Sequence, residues 1–342
     1  MAVRDVTSLD VARLAGVSRT AVSLVLNGHA DGNVAIGSQE KILAAAKKLG
    51  YKPNSIAVSL RNQRTSTLGI VTDQIVSSPF AGRVISGASG AALERGYVVL
   101  VIDTDQLPER DPEAIETLQQ RRVDGLIYAA GSLHELDVPD QLLAQPAALA
   151  NCFDSQQRLM AVVPDEFDGS RSATELLLGL GHRRIVLLQG GKGDATPLRE
   201  QGYRSAMDRA GLKWRAQKVV PCGWNIDGGY RAAEAVLTGT ERPTAILCSN
   251  DRSATGVLLF AASAGIRVPE QLSVVGYDDQ EFVAANLVPA LTTVALPHAE
   301  IGAETAKRLI DIIERRSTST RPEKVLMKCP LVIRKSSGPA PA

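Results

Sequence analysis

Apolar side chains recur at helical spacing along residues 6–50 and predict three short amphipathic helices. The first of them is expected to take Ser8 as its N-cap and to bury Val11, Ala12 and Leu14 on one face. Gly16 follows where a tight turn needs a residue without a Cβ atom. The pattern therefore predicts a helix, a turn and then a second helix.

The second predicted helix has an apolar face and a polar face. With Ser18 as its N-cap and a rotation of about 100° per residue, one side collects Ala21, Val22, Val25 and Leu26. The other side carries a cation, short polar groups and one apolar side chain: Arg19, Thr20, Ser23, Leu24 and Asn27. This arrangement is typical of the helix-turn-helix that places one helix in the major groove of DNA. A two-helix hairpin without a DNA role is the alternative that this segment leaves open.

A third helix and a short extra segment follow this motif. Ile42, Ala46 and Leu49 recur at helical spacing within 38–49, and Gly50 is the expected stop. Residues 55–61 can also form a helix, but about seven residues are too few for a stable helix in water. We therefore expect 55–61 to fold only against DNA or against a second copy of the chain.

From residue 65 onward, short β-rich apolar runs alternate with helical stretches. The predicted strands are 68–71, 98–102, 125–128, 148–151, 161–163, 185–188, 219–220, 245–248 and 273–276. The helices predicted between them are 80–95, 112–121, 168–180, 199–210, 226–237 and 252–264. Such alternation indicates parallel sheets with helices on both faces. Because it runs twice, we expect two doubly wound lobes, with a ligand cleft at the carboxyl ends of their strands.

Charge separates the N-terminal segment from the remainder of the chain. Residues 1–64 contain nine Lys/Arg and four Asp/Glu, whereas the whole chain has a formal net charge of +1. A basic head on a mildly acidic body suits a polyanion bound at one end. A basic surface that is merely solvated is the alternative reading of the charge alone.

Composition argues against several other classes of protein. No run of about 18 apolar residues is present for a membrane span, and residues 1–10 lack the apolar core of a secretion signal. The cysteines are widely spaced and are expected to be reduced thiols of a cytoplasmic protein: Cys152, Cys222, Cys248 and Cys329. The glycine-rich stretch 190–193 lacks the spacing of a phosphate-binding loop and is expected to be an ordinary flexible loop. We therefore expect no metal, no cofactor and no catalytic residue.

Taken together, these features resemble the lactose-repressor (LacI/GalR) family of bacterial transcription regulators, from about residue 6 to residue 333. The motifs that carry the resemblance are Asp10-Val-Ala-Arg-Leu-Ala-Gly-Val-Ser-Arg-Thr-Ala-Val-Ser, Leu49-Gly-Tyr-Lys-Pro-Asn, Arg121-Arg-Val-Asp-Gly-Leu-Ile, Leu180-Gly-His-Arg-Arg-Ile, Ser249-Asn-Asp, Val275-Gly-Tyr-Asp-Asp and Leu291-Thr-Thr-Val. Their order and spacing matter more than any one of them. The resemblance implies an all-α helix-turn-helix head on a periplasmic-binding-protein-like α/β body of two parallel-sheet lobes.

The resemblance also assigns DNA contacts within the head. Arg19, Thr20 and Ser23 are expected at base edges, with Leu24 offering apolar contact there. Phosphate-positioning groups are expected at Thr7, Ser18 and Asn27. Segment 55–61 is similar to the family's hinge helix, in which Ala57 lets two copies approach and Leu60 wedges into the minor groove.

Several positions depart from the family pattern. Leu24 stands where many members carry an arginine, and Val58 replaces a common hinge arginine. Loop 28–34 is about two residues longer than usual, and Ala35 stands where Ser or Asp usually caps the third helix. These departures affect which operator sequence is read rather than the mode of binding.

The same resemblance predicts a small-molecule pocket between the two lobes. In the second lobe, Arg199 is expected to project a guanidinium across the cleft, Asp278 and Asn250 to bind hydroxyl groups, and Trp224 to stack on a ring. Asp251 and Asp279 are expected to cap or link rather than to bind. Elsewhere the expected pocket residues are Asp73, Ser78, Phe80, Asn151 and His298. These groups suit a polyhydroxylated effector such as a sugar, with a nucleoside or nucleobase as the alternative.

The predicted organisation has four parts. Residues 1–54 form the DNA-binding domain, 55–64 the hinge helix and linker, 65–336 the effector-binding and dimerisation domain, and 337–342 a disordered tail. Lobe 1 is expected to span 65–164 and 293–325, and lobe 2 to span 165–290 and 326–336. Because the C-terminal residues cannot form the leucine heptads of tetrameric members, we expect a homodimer on pseudo-palindromic DNA.

The resulting hypothesis is a cytoplasmic, nucleoid-associated transcriptional repressor under allosteric control by a small effector. A sugar-binding protein without a DNA role and an α/β enzyme are the alternatives. The DNA-binding head argues against the first, and the lack of a recognisable nucleophile, metal or cofactor motif argues against the second.

Overall fold

A computed structural model describes residues 6–28, 30–51, 64–74, 82–212, 218–316 and 322–341. The chain divides into two compact units, Met1–Thr65 and Ser66–Ala342. We call the first unit the head and the second unit the body, and describe each by itself. In the described part of the chain, no helix is both long and apolar enough to cross a membrane.

The head contains helices α1 (Ser8–Ala15), α2 (Arg19–Leu26) and α3 (Ile36–Leu49). Their shared core is built on Val11, Val22 and Ile42, all of which are fully buried. The three predicted helices and the glycine turn are therefore confirmed. Leu14, however, was expected in this core and is 46% exposed, because the inner face of α1 is centred on Val11 and Ala12.

The helix ends in the head follow from local side-chain chemistry. Thr7, not Ser8 as expected, is the N-cap of α1, and it forms a capping box with Asp10. Ser18 caps α2 as predicted, since its Oγ accepts the Ala21 N–H at 3.1 Å. Ala35 gives α3 no side-chain cap, also as predicted. Gly16 ends α1 with φ +68°, a conformation in which a side chain would be strained.

The first lobe of the body is a parallel sheet in the order β11-β5-β4-β3-β1-β2. Its strands are β1 (Thr67–Thr72), β2 (Val98–Asp103), β3 (Gly125–Glu135), β4 (Ala147–Phe153), β5 (Met160–Pro164) and β11 (Lys324–Met327). Helices α4 (Gly82–Glu94) and α11 (His298–Ile313) pack on one face, and α5 (Asp111–Gln120) and α6 (Asp140–Leu143) pack on the other.

The second lobe repeats this architecture in the order β12-β10-β9-β8-β6-β7. Its strands are β6 (Ile185–Gln189), β7 (Val219–Pro221), β8 (Ala245–Leu247), β9 (Ser273–Asp278), β10 (Thr292–Ala295) and β12 (Leu331–Val332), of which β12 is antiparallel to β10. Helices α7 (Glu166–Gly179) and α8 (Ala195–Arg209) cover one face, and α9 (Ile226–Leu237) and α10 (Asp251–Ser263) cover the other. The predicted pair of doubly wound lobes is confirmed.

The structure differs from the sequence expectation at the lobe crossovers and at the C-terminus. Strand β10 belongs to the second sheet, although 293 onward was assigned to the first lobe, and β11 extends the first sheet to Met327. Residues 337–342 were expected to be disordered, yet Gly338 bonds to Ser273 and the Ala340 N–H donates to the Leu180 carbonyl at 2.8 Å. In the described part of this segment, 337–341, the backbone finds hydrogen-bond partners along the second lobe.

Candidate functional site

A cavity of about 310 Å³ lies between the two lobes of the body. The first lobe lines it with Gln106, Asn151 and the segment 131–133, which belongs to the extended end of β3. The second lobe and the last crossover supply its other polar lining groups: Glu166, Lys192, Arg199, Asn250, Arg252, Asp278 and His298. Most of these residues follow the carboxyl end of a strand, where ligands of parallel sheets bind.

Arg199, in the second turn of α8, is held by three acceptor atoms within the second lobe. Its Nε and Nη2 donate to the two carboxylate oxygens of Glu166 at 2.8 and 3.0 Å. Its Nη1 donates to the Ser249 carbonyl, and the guanidinium carbon lies 3.6 Å from the centre of the Tyr277 ring. We expected this guanidinium to project across the cleft; instead, Glu166 keeps it against the second-lobe wall.

Asp278 faces Arg199 at the end of β9. Its Oδ1 lies 3.9 Å from Arg199 Nη2, too far for a direct hydrogen bond, and its Oδ2 accepts the Gln280 side-chain N–H at 3.0 Å. Burial raises the pKa of Asp278 to about 6, although the charge of Arg199 opposes this shift. At neutral pH the group is therefore mainly a carboxylate that can accept hydrogen bonds from a ligand.

Asn250 and Trp224 support each other beside the cavity. Asn250 is the N-cap of α10; its Oδ1 accepts the Ser253 N–H at 2.8 Å and its Nδ2 donates to the Trp224 carbonyl at 3.0 Å. We expected both groups of this amide to serve a ligand, but the cap takes the oxygen. The Trp224 ring packs on Gly190 and Gly191, where a Cβ at Gly190 would lie 2.3 Å from the indole.

The glycine-rich loop is therefore part of the site. Its remaining residues, Lys192 and Gly193, line the cavity directly. We expected 190–193 to be an ordinary flexible loop, because its spacing does not match a phosphate-binding motif. In the structure, Gly190 and Gly191 leave room for the indole ring of Trp224 beside the cavity.

In the first lobe, Asn151 lines the cavity and Asp73 supports it. Asn151 adopts φ +59° and donates to the Ala130 carbonyl at 2.9 Å. Asp73 is not among the described residues that line the cavity. Its Oδ1 accepts the N–H of Gly131, and Gly131 does line the cavity. His298 lines the cavity as the first residue of α11, and burial lowers its pKa to about 4, which leaves the imidazole neutral. Ser78 and Phe80 lie outside the described residues.

Some residues of the cavity were not anticipated from the sequence. Glu166 is the most important of them, since it binds Arg199 and is 2% exposed. A usable signal was its position two residues after the end of β5, at the same sheet edge as the other candidates. Lys192 and Gln106 were also missed, because a cation or amide in a loop is usually solvated. Arg252 was missed because it was considered only as the first residue of a predicted helix.

The outer face of α2 presents the expected polar groups in the head. Ser18, Arg19 and Thr20 are exposed, whereas Ser23, Leu24 and Asn27 are half-buried. Asn27 Nδ2 donates to the Ser23 carbonyl at 2.5 Å, so its amide is oriented by its own helix. Thr7 Oγ1 likewise donates to Asp10 at 2.6 Å. Ala57 and Leu60 lie outside the described residues.

Comparison with known proteins gives matches to both units. Residues 7–54 match the model of the bacterial regulatory proteins of the lacI family, and residues 174–337 match the model of a periplasmic binding protein-like domain. The ribose operon repressor of Escherichia coli (strain K12) is 33% identical over 338 residues, which cover 97% of this chain and 99% of that protein.

A second relative and a solved structure agree with this assignment. The HTH-type transcriptional repressor PurR of Vibrio cholerae serotype O1 (strain M66-2) is 33% identical over 326 residues, covering 93% of this chain and 96% of that protein. A crystal structure of the lac repressor dimer bound to operator and the anti-inducer ONPF is 27% identical, covers 98% of this chain and 100% of that chain, and superposes with a TM-score of 0.78. The chain is thus a member of the lacI family of bacterial regulatory proteins.

Proposed function

We propose that this protein is a transcriptional repressor whose affinity for an operator is controlled by a small neutral sugar bound in the body. The observation that carries the proposal is a polar cavity between the lobes, in a chain that also has a helix-turn-helix head. The full-length similarity to transcriptional repressors supports a regulator rather than an enzyme.

The polar groups of the cavity favour a neutral polyhydroxylated effector. At Arg199 two carboxylates, Glu166 and Asp278, accompany one guanidinium, so a neutral hydroxyl group fits this position better than a carboxylate or phosphate does. Two further cations, Lys192 and Arg252, line the cavity, so this preference holds for the Arg199 position. A hydroxyl group suits the 3.9 Å gap between Arg199 Nη2 and Asp278 Oδ1, because it can accept from the first and donate to the second. Trp224 offers an apolar surface to one face of the sugar ring.

A monosaccharide of the size of ribose is the first candidate. The similarity to a ribose operon repressor spans nearly the whole chain, and the cavity volume of about 310 Å³ leaves room for one sugar ring with water. The effector-binding residues proposed here are Asn151, Arg199, Trp224, Asn250, Asp278 and His298, with Glu166 added and Asp73 as a support.

DNA binding is assigned to the head and to the segment that follows it. We propose that Arg19, Thr20 and Ser23 contact base edges beside Leu24, and that Thr7, Ser18 and Asn27 position the phosphates. Residues 55–64 serve as hinge and linker between a DNA-binding domain over 1–54 and an effector domain over 65–336. Two copies related by two-fold symmetry bind a pseudo-palindromic operator on the bacterial nucleoid, in the cytoplasm.

The test is calorimetry of the full chain with D-ribose, other pentoses, hexoses, polyols and nucleosides. We expect binding of at least one monosaccharide, and a weaker but still measurable affinity in Asp278→Ala. Asp279→Ala is the matched control, because this neighbouring carboxylate binds Arg334 at 2.7 Å and is not among the described residues that line the cavity. Binding of nucleosides alone, or a sugar affinity that Asp278→Ala leaves unchanged, contradicts the proposal.

A further inference from the structure

Asp251, the first residue of α10, has a buried carboxyl group that binds two other elements of the second lobe. Its Oδ2 accepts the Gln280 backbone N–H at 2.7 Å, and its Oδ1 accepts the Thr293 hydroxyl at 2.6 Å. The residue is fully buried, and the cap of α10 is Asn250 rather than Asp251. The carboxyl group therefore joins α10 to β10 and to the backbone just after Asp278.

The backbone that Asp251 holds is in an unusual conformation. Asp278 has φ +106° and Asp279 has φ +51°, a region that side chains other than glycine rarely adopt. Such conformations persist only where the surroundings impose them. The Gln280 N–H, bound by Asp251, fixes the end of this turn, and the Gln280 side chain donates to Asp278 Oδ2 at 3.0 Å.

The sheet leaves space for this carboxyl group. A Cβ atom on Gly276 would lie 2.3 Å from Asp251 Oδ1, so a larger residue at position 276 would displace the carboxyl group. The glycine lies two residues before Asp278, on the same strand. Gly276, Asp251 and Gln280 thus form one contiguous support beneath the cavity wall.

We propose that Asp251 is a positioning residue for the effector: it holds the turn 278–280 in the conformation that presents the Asp278 carboxylate to the cavity. The inference rests on the proposed role of Asp278 in sugar binding and adds the residue that orients it.

The protonation state of Asp251 suggests a discriminating variant. Burial, followed by the charge of Asp278, raises the pKa of Asp251 to about 8. At neutral pH the group is mainly an uncharged acid; in this form the acid O–H donates to the Thr293 hydroxyl while the other oxygen accepts the Gln280 N–H, so asparagine is a close replacement. In Asp251→Asn the amide oxygen can accept from the Gln280 N–H, and the amide nitrogen can donate to the Thr293 hydroxyl. Asp251→Ala removes both interactions.

The first experiment measures hydrogen–deuterium exchange of the Gln280 amide in the full chain, without any ligand. We expect Asp251→Ala to accelerate its exchange by about tenfold or more, and Asp251→Asn to change it by less than about 1.5-fold. Thr255→Val is the matched control, because its hydroxyl donates to the Asp251 carbonyl at 2.8 Å and not to the carboxyl group. An unchanged rate in Asp251→Ala overturns the proposal whether or not a sugar binds.

The second experiment measures D-ribose affinity in a double-mutant cycle. We expect Asp251→Ala to weaken binding by about tenfold, Asp251→Asn to preserve it, and Asp251→Ala to add no further loss in an Asp278→Ala background. Equal losses in both backgrounds indicate a general structural role and overturn the assignment. If the unmodified protein binds no D-ribose, the proposed effector fails, and the exchange rates alone decide the positioning role.

If Asp251→Ala does not fold, Thr293→Val tests the same proposal with a smaller perturbation of the buried carboxyl group. It removes one of the two anchors of the carboxyl group and keeps the shape of the side chain. We expect a two- to threefold acceleration of exchange at Gln280, about a quarter of the tenfold effect. No acceleration in this variant contradicts the proposal.

Discussion

The carboxylate of Glu166 binds the guanidinium of Arg199 through two parallel hydrogen bonds of 2.8 and 3.0 Å, and both side chains are less than one-tenth exposed. Glu166 begins α7 and Arg199 lies in the second turn of α8, so the pair links two helices at the cavity wall. Because both charges are shielded from water, each depends on the other for the compensation of its buried charge. The pair therefore contributes to the fold as well as to the lining of the cavity.

Arg199→Ala is expected to destabilise the body as well as to remove effector binding. The substitution leaves the Glu166 carboxylate buried without its partner, which typically costs about 3–5 kcal/mol of folding free energy. Chemical denaturation of the full chain, followed by tryptophan fluorescence, measures this loss. Adding Glu166→Gln to Arg199→Ala removes the buried charge and is expected to restore part of the stability.

The matched control for this loss is Arg231→Ala. Arg231 pairs with Asp227 on the surface, where the side chains are 71% and 65% exposed, and such pairs contribute about 0–1 kcal/mol. If Arg199→Ala is as stable as the control, or if the added Glu166→Gln destabilises it further, the burial argument is wrong.

The stability of the body is expected to fall as pH rises from 6.5 to 8. The pKa of Asp251 is about 8 in the folded chain, against an ordinary value of 3.8, so the unfolded chain loses this proton first and folding becomes less favourable as pH increases. Asp278, with a pKa of about 6, lowers the stability with rising pH mainly below pH 6.5. His298, whose pKa is lowered to about 4, has the opposite effect: below pH 6.5, its ordinary pKa, it raises the stability as pH rises.

Thermal unfolding at a series of pH values measures this dependence. Asp251→Asn does not titrate and is expected to flatten the curve between pH 6.5 and 8. Asp227→Asn, which changes an exposed carboxylate paired with Arg231, serves as the control. A curve that is equally steep in Asp251→Asn indicates that another group carries the dependence.

The sequence predicted the fold well because the patterns that define it are local. Strand 68–71 and helix 226–237, for example, are seen as β1 (Thr67–Thr72) and α9 (Ile226–Leu237). The sheet membership of β10 was not predictable in this way, since it depends on pairing with β9 rather than on its own residues. The anchoring of Gly338 was missed for the same reason.

The site was only partly predictable, because sequence identifies residue types more readily than their partners. Arg199 was recognised at the start of a helix, but its partner Glu166 lies 33 residues earlier in the chain. Asn250 was assigned to ligand hydroxyls on its chemistry, whereas the structure shows it capping α10. Asp251 was expected to cap or link, and its bonds to Gln280 and Thr293 depend on the assembled sheet.

In the head, Ser18→Ala and Arg19→Ala are expected to act on different properties. Ser18→Ala removes the cap of α2 and lowers head stability by about 1 kcal/mol; through its proposed phosphate contact it also weakens specific and nonspecific DNA binding alike. Arg19→Ala changes an exposed side chain, so it should leave stability unchanged and weaken binding to the specific site by about 1–3 kcal/mol. Circular dichroism and DNA-binding titrations separate the two effects. Equal loss of helix stability in both variants contradicts this division.

The hinge predicted from the sequence is tested by Leu60→Ala. Removing the apolar wedge is expected to reduce DNA bending and specific affinity, while the salt-dependent phosphate contribution survives. Val58→Ala, in the same segment, is the matched control. A specific-to-nonspecific affinity ratio that stays the same in Leu60→Ala contradicts the hinge mechanism.

The most direct test of the central claim is whether a sugar and an operator change each other's affinity for this chain. DNA bound from a random library is sequenced to identify the operator, and anisotropy titrations then measure operator affinity with and without saturating D-ribose, and ribose affinity with and without operator. We predict an enriched inverted repeat and the same change of affinity in both directions, corresponding to about 1–3 kcal/mol of coupling. An operator affinity that does not change when the body is saturated with D-ribose contradicts the account.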